Sequence, residues 1–218
     1  NGILKSLNEK ENSNQKEYSI TLSPVNDGIV NINVNSDGVK DIAGNSLAEN
    51  VSLQILSDRT KPSLGIVYDG PNEDIDYTNI TSMIEANWTP FIDTTSGINF
   101  YEWAIGSAVG DSSIQTWKNI GNVNYIKNDT ITLVHAGKYF ASVRAADLAG
   151  NISDVVSSDG VLVDTLSPAT PYLTLEEGEK KITLSWSSLS DVNHYNIHRS
   201  NENSFTPNIN SLYKELTK

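Results

Sequence analysis

The stretch from Lys138 to Asn151 constrains the fold of this chain more than any other part of it. In its first half every second residue is apolar or small: Tyr139, Ala141, Val143 and Ala145. Because successive side chains of a β-strand point to opposite faces, this period of two predicts a strand with one face in a core. The run ends at Asp147-Leu-Ala-Gly-Asn151, whose Asp, Gly and Asn favour a tight loop. A core strand followed by a short turn is typical of an all-β domain.

Tyr139 lies where this strand begins, directly after the turn His135-Ala-Gly-Lys138. A tyrosine in that place can bury its ring and return its hydroxyl to nearby backbone, which is the tyrosine corner of Greek-key sandwiches. We therefore expect the ring of Tyr139 in the core and its hydroxyl on the main chain.

The same alternation predicts further strands between residues 59 and 165. Their apolar positions are Leu64, Ile66 and Tyr68, then Ile84, Ala86 and Trp88, then Tyr101, Trp103 and Ile105, then Ile131 and Leu133, and finally Val161 and Val163. A seven-strand sandwich takes roughly 100 residues. The middle region can therefore hold a complete sandwich, whereas residues 1–58 and 166–218 can hold only half of one each.

Several segments resemble known modules. The strings Tyr101-Glu-Trp-Ala-Ile-Gly106 and Ser142-Val-Arg-Ala-Ala-Asp147 are similar to fibronectin type III-like modules of large secreted proteins. Residues 1–58, with Asp41-Ile-Ala-Gly-Asn45, resemble the C-terminal half of a bacterial immunoglobulin-like domain. Ile182-Thr-Leu-Ser-Trp186 resembles the N-terminal half of a fibronectin type III domain. The resemblance implies tandem all-β sandwiches of the immunoglobulin/fibronectin III type, one complete (59–165) and two truncated (1–58 and 166–218), within a longer chain.

The net charge restricts the partners of the chain. Its 27 acidic and 15 basic residues give a net charge of −12, which repels phosphate backbones and makes nucleic acid an unsuitable partner. Acidity also suits an extracellular surface or oxygen sites for hard cations. No apolar run reaches the ~20 residues that a membrane helix requires, and the sequence has no cysteine.

Aspartates recur at the predicted junctions, since Asp58-x-x-x-Pro62 returns as Asp164-x-x-x-Pro168. In an immunoglobulin-type sandwich the B–C and F–G loops lie at the pole where the chain enters. We therefore expect two acidic clusters, Asp58 with Asp93 and Asp147 at the first junction, and Asp164 with Asp191 at the second.

Calcium binds six to eight oxygens, many of them from carboxylates, and the resemblance to bacterial immunoglobulin-like repeats of giant adhesins implies calcium at such linkers. The alternative is that Asp147 and Asp41 only form Asx-turns, while Asp58 and Asp164 cap linker backbone. Asp69, Asp74 and Asp76 are a weaker candidate set, for which solvated loop charge is the other interpretation.

The tryptophans offer a different kind of site. Trp88, Trp103 and Trp186 occupy strand positions expected in a core, whereas Trp117 and Tyr125 are candidates for an exposed aromatic patch that binds a ligand.

No nucleophile elbow, His-Glu-x-x-His motif or Walker loop occurs in the sequence, so we predict that the chain is not an enzyme. The expected function is a structural spacer or adhesion array of a modular extracellular or cell-surface protein, whose partners are the neighbouring domains of the same chain. The alternative is an accessory module of a secreted enzyme that binds an extracellular protein or a glycan.

Overall fold

A computed structural model describes residues 3–12, 15–202 and 204–217. The predicted all-β class is confirmed: the described regular elements are β-strands, apart from two short 3₁₀ turns at Ser36–Gly38 and Ile209–Ser211. The chain divides into two compact units, Asn1–Thr165 and Leu166–Lys218. The described part of the chain contains no helix that is long and apolar enough to cross a membrane.

The first unit begins with two antiparallel hairpins. Strand β1 (Ile3–Asn12) pairs with β2 (Gln15–Ser23), and β3 (Gly28–Val34) pairs with β4 (Val51–Ser57). The β3–β4 hairpin exposes most of its apolar side chains, because Leu53 and Ile55 are 61% and 58% exposed. A two-stranded sheet needs a second layer to cover its apolar face. On this hairpin Val30 is buried, at 5% exposure, whereas Leu53 and Ile55 stay exposed.

The middle region forms two sheets from nine strands. These strands are β5 (Val67–Asp69), β6 (Tyr77–Thr78), β7 (Ile84–Trp88), β8 (Ile98–Gly106), β9 (Gln115–Gly121), β10 (Tyr125–Asn128), β11 (Lys138–Asp147), β12 (Val156–Ser157) and β13 (Val161–Val163). One sheet has the order β10-β7-β5, and the other has the order β6-β13-β11-β8-β9 with β12 also on β11. The chain therefore passes from one sheet to the other between β5 and β6, and β6 then pairs in parallel with β13.

Both sheets contribute to one hydrophobic core, which makes this region sandwich-like. Trp88 on β7 and Trp103 on β8 are 2% and 1% exposed, and Val143 on β11 is fully buried. The ring centroids of Trp88 and Tyr101 lie 5.5 Å apart across the two sheets. The predicted core positions of Trp88 and Trp103 are thus confirmed.

The predicted corner at Tyr139 is also confirmed. The residue is 6% exposed, and its hydroxyl accepts a hydrogen bond of 3.0 Å from the backbone N–H of Val134. Gly137 makes room for the ring, because a Cβ there would lie 2.7 Å from the tyrosine hydroxyl.

Two predicted strands differ from the structure. Leu64 and Ile66 are 54% and 56% exposed and precede β5, which buries Val67 and Asp69 instead. Strand β7 pairs with β5 and β10, and Leu133 lies outside any strand although it is 3% exposed. A single apolar side chain can enter a core from irregular backbone. The alternation of Ile131 and Leu133 therefore predicted a strand that does not form.

The second unit contains two hairpins. Strand β14 (Leu173–Gly178) pairs with β15 (Lys181–Trp186), and β16 (His194–His198) pairs with β17 (Leu212–Thr217). Trp186 and Tyr195 lie 5.6 Å apart with an interplanar angle of 58°. That geometry repeats the pair Trp88–Tyr101, at 5.5 Å and 60°. The predicted core position of Trp186 is only partly realised, because this side chain is half-buried.

Candidate metal centre

The loop after β11 holds the most buried carboxylate of the first junction. Asp147 is 1% exposed, and its two oxygens accept hydrogen bonds from the backbone N–H and side-chain amide of Asn151, at 2.8 Å and 2.7 Å. Gly150, with φ of +93°, turns the chain between them. The expected Asx-turn is therefore present, and each oxygen still has a lone pair available for a further ligand.

Asp93 lies in the loop between β7 and β8. Its Oδ1 accepts the backbone N–H groups of Thr95, Ser96 and Gly97 at 3.1, 2.7 and 2.8 Å. Partial burial tends to raise the pKa of Asp93, but these donors outweigh it and hold the pKa below its ordinary value. All the hydrogen bonds of this carboxylate in the described structure fall on Oδ1, so Oδ2 is open to a cation.

Asp58 opens the linker that leads into the middle region. Its Oδ1 accepts the backbone N–H of Thr60 at 3.1 Å, which is the predicted capping interaction. Its Oδ2 is inaccessible to solvent and has no hydrogen-bond partner. A buried carboxylate oxygen without a partner is costly, so this atom fits a site that a cation completes.

The structure brings Asp58, Asp93 and Asp147 together. One carboxylate oxygen from each lies within 4.8 Å of the other two. Two oxygens that bind the same calcium ion at 2.3–2.6 Å are at most about 5 Å apart, so these three carboxylates fit a single ion. Three gathered carboxylates repel one another unless a cation or protons compensate them.

Hydrogen bonds also attach the linker to structure on both sides. Asp27, in the turn before β3, accepts the backbone N–H of Arg59 at 2.9 Å and the hydroxyl of Thr60. From the other side, the Asn151 amide donates to the Asp58 carbonyl at 3.3 Å. Lys61 also pairs with Asp154 at 2.9 Å, but both side chains are exposed, and such pairs contribute little.

The two members of the second predicted junction belong to different units. Asp164, in the first unit, is half-buried, and its Oδ1 lies 3.7 Å from Nδ1 of His135. Asp191, in the second unit, is exposed. Their convergence remains a prediction.

The third predicted acidic set differs from the structure in one member. Asp69 and Asp74 come together with Asp159, and Asp76 is not part of the group. Asp159 lies between β12 and β13, about ninety positions along the chain from Asp69. The dipeptide Asp159-Gly160 indicates a turn in the sequence. The proximity of that turn to Asp69 depends on how the two sheets are connected.

The two aromatic candidates lie on different sheets. Trp117 on β9 is half-buried, and the Arg144 guanidinium lies 4.5 Å from its ring centroid. Tyr125 on β10 is 40% exposed and donates a hydrogen bond of 2.6 Å to Glu85. One face of the tryptophan ring is thus occupied by the protein itself.

The comparisons with known proteins give no family. The sequence matches no family model and no curated protein.

Proposed function

We propose that this chain is a non-catalytic spacer within a modular extracellular or cell-surface protein, built from sandwiches of the immunoglobulin/fibronectin III type. In this proposal calcium binds Asp58, Asp93 and Asp147 and holds the first junction at a defined angle. The observation that carries the proposal is the gathering of three carboxylates, one of them from the linker itself, within 4.8 Å of one another.

The linker contacts support the same function. A flexible connection leaves its backbone groups to solvent, whereas Arg59 and Asp58 here bond to Asp27 and Asn151 through the main chain. A cation bound by Asp58, Asp93 and Asp147 would add further bonds between the linker and two loops of the middle region. The junction would then transmit orientation from one module to the next.

The aromatic binding surface of the accessory-module alternative has weaker support. A glycan platform needs open, coplanar ring faces, and Arg144 covers one face of Trp117. Tyr125 lies on the other sheet and is engaged by Glu85.

Small-angle X-ray scattering of the full chain, with calcium and with chelator, tests the proposal. We expect a narrower distribution of dimensions with calcium, and a melting temperature that rises with calcium concentration. At a hundredfold excess over Kd, bound calcium stabilises a fold by about 2.7 kcal/mol.

Two variants make the test specific. Asp93→Asn keeps the acceptor for the loop N–H groups but removes its charge, so it should abolish the calcium-dependent change in dimensions. Asp129→Asn removes the same charge from an exposed aspartate paired with Lys127 and should respond like the parent. Identical scattering of the parent chain in calcium and chelator would refute the calcium-stiffened junction.

A further inference from the structure

A second acidic group lies where the chain changes sheets in the middle region. Strand β5 ends at Asp69, and the chain rejoins the other sheet at β6. The segment between β12 and β13 lies against this crossing, because the Gly160 N–H donates to Oδ2 of Asp69 at 2.9 Å. The Asp69 carboxylate therefore joins the crossing to the segment that leads into β13.

Asp69 is the unusual member of the group because it is fully buried. Its Oδ1 is inaccessible and has no hydrogen-bond partner, although Oδ2 is bonded. The fold therefore places a poorly compensated carboxylate in its interior, where desolvation disfavours the charged form.

Two more carboxylates lie beside it. One oxygen each of Asp69, Asp74 and Asp159 lies within 4.8 Å of the other two. Asp74 also accepts the backbone N–H of Asp69 at 2.8 Å, which holds its loop against the end of β5. Asp74 and Asp159 are exposed, so the group has a buried ligand on one side and access to water on the other.

No basic side chain described in the structure forms an ion pair with these three carboxylates. Lys138 passes close to Gly160, since a Cβ at that glycine would lie 2.8 Å from its Cε. Its ammonium lies 5.5 Å from the centroid of the Phe140 ring instead. No described ammonium or guanidinium group therefore lies within ion-pair distance of these carboxylates.

We propose that Asp69, Asp74 and Asp159 bind a calcium ion that ties the sheet crossing to the segment between β12 and β13. Three carboxylate oxygens, with water on the exposed side, meet the preference of calcium for oxygen ligands and for irregular geometry. A cation bound there would also compensate the charge of the buried Asp69 carboxylate. This site is independent of the junction site, with which it shares no residue.

Equilibrium dialysis of the full chain against ⁴⁵Ca²⁺ at neutral pH measures the number of bound ions. Asp159→Asn is the first variant, because its side chain is exposed and its loss should leave the fold intact. We expect it to remove one bound ion, or to weaken that ion by about tenfold or more. Asp74→Asn keeps an acceptor for the Asp69 N–H and should act in the same way, whereas Asp129→Asn should bind like the parent.

The junction variant Asp93→Asn separates this proposal from the previous one. If Asp159→Asn loses an ion and Asp93→Asn does not, the crossing site stands and calcium at the junction is refuted. The opposite pattern refutes the crossing site alone. Unchanged binding by both Asp159→Asn and Asp74→Asn, or no bound calcium in the parent chain, would overturn this inference.

Amide chemical shifts report calcium binding at individual residues, which a general loss of negative charge would not reproduce. In ¹H–¹⁵N spectra, calcium should shift the amide signals of Gly160 and Asp69 in the parent chain and in Asp93→Asn, but not in Asp159→Asn. Shifts confined to the junction loops would contradict the crossing site.

Discussion

Two loops of this chain have nearly the same sequence and very different surroundings. Asp41-Ile-Ala-Gly-Asn45 and Asp147-Leu-Ala-Gly-Asn151 form the same turn, in which the asparagine N–H bonds to the aspartate Oδ1 at 2.8 Å in both. The amide of the asparagine reaches Oδ2 at 2.8 Å and 2.7 Å. Gly44 and Gly150 share a φ of +93°.

The loops differ in what the fold brings to them. Asp41 is exposed, whereas Asp147 is 1% exposed and lies beside Asp58 and Asp93. Among the described residues Asp41 belongs to no group that could hold a metal. The motif therefore encodes a turn, and a candidate site arises only where a linker and a second loop meet that turn.

The Trp–Tyr pair is a second motif repeated in different surroundings, and it gives the largest expected effect. Trp88→Ala should destabilise the first unit by about 3–5 kcal/mol, the usual cost of deleting a buried large aromatic. Trp186→Ala should cost its own unit less, because Trp186 is half-buried. Calorimetric melting of the full chain measures both, and equal losses would mean that the surroundings of the pair do not matter.

Removing the aspartate from each loop compares the two turns directly. Asp147→Ala leaves the Asn151 N–H and amide without acceptors near the core, and should cost about 1–3 kcal/mol. Asp41→Ala should cost much less, since water can replace this exposed carboxylate. Denaturant unfolding of the two variants checks this, and a larger loss in Asp41→Ala would contradict the comparison.

The smallest expected effect concerns protonation of the exposed loop. Hydrogen bonds from the side chain and backbone of Asn45 lower the pKa of Asp41 below its ordinary value of 3.8. A lowered pKa in the folded state means that the turn is fully stabilised above pH ~4 and loses this contribution as the pH falls through the folded pKa.

A carboxyl ¹³C titration should place the midpoint of Asp41 below 3.8, and Asn45→Ala should raise it towards that value. Ile42→Val is a control in the same loop and should leave it unchanged, because the side chain of Ile42 is fully exposed. A midpoint at the ordinary value in the parent chain would show that the turn opens in solution.

The long strands and the junction could be predicted from sequence because their signals are local or topological. The alternation around Trp88, Trp103 and Tyr139 predicts core strands, and the pole shared by loops of a sandwich brings Asp93 to Asp147. These expectations needed no knowledge of side-chain detail.

Strand β5 and the position of Asp159 depend on long-range contacts, which a short stretch of sequence does not indicate. Strand β5 has only three residues and buries Asp69, so it shows no apolar alternation. The apolar but exposed Leu64 and Ile66 instead led to a strand predicted too early in the chain. Asp159 was missed because it meets Asp69 only after the chain has changed sheets. A buried aspartate is rare and cannot be expected from alternation.

The parallel pairing of β6 with β13 has a mechanical consequence. Under tension on the two ends of the middle region, β5 must first leave β7. Strand β6 is then pulled towards its start and β13 towards its end, so these two strands are loaded in shear. The bonds from Leu162 N–H to Asp76 carbonyl and from Asp164 N–H to Thr78 carbonyl, both 2.8 Å, then bear the load together and must break together. An antiparallel hairpin pulled from its open end would instead unzip one bond at a time, at lower force.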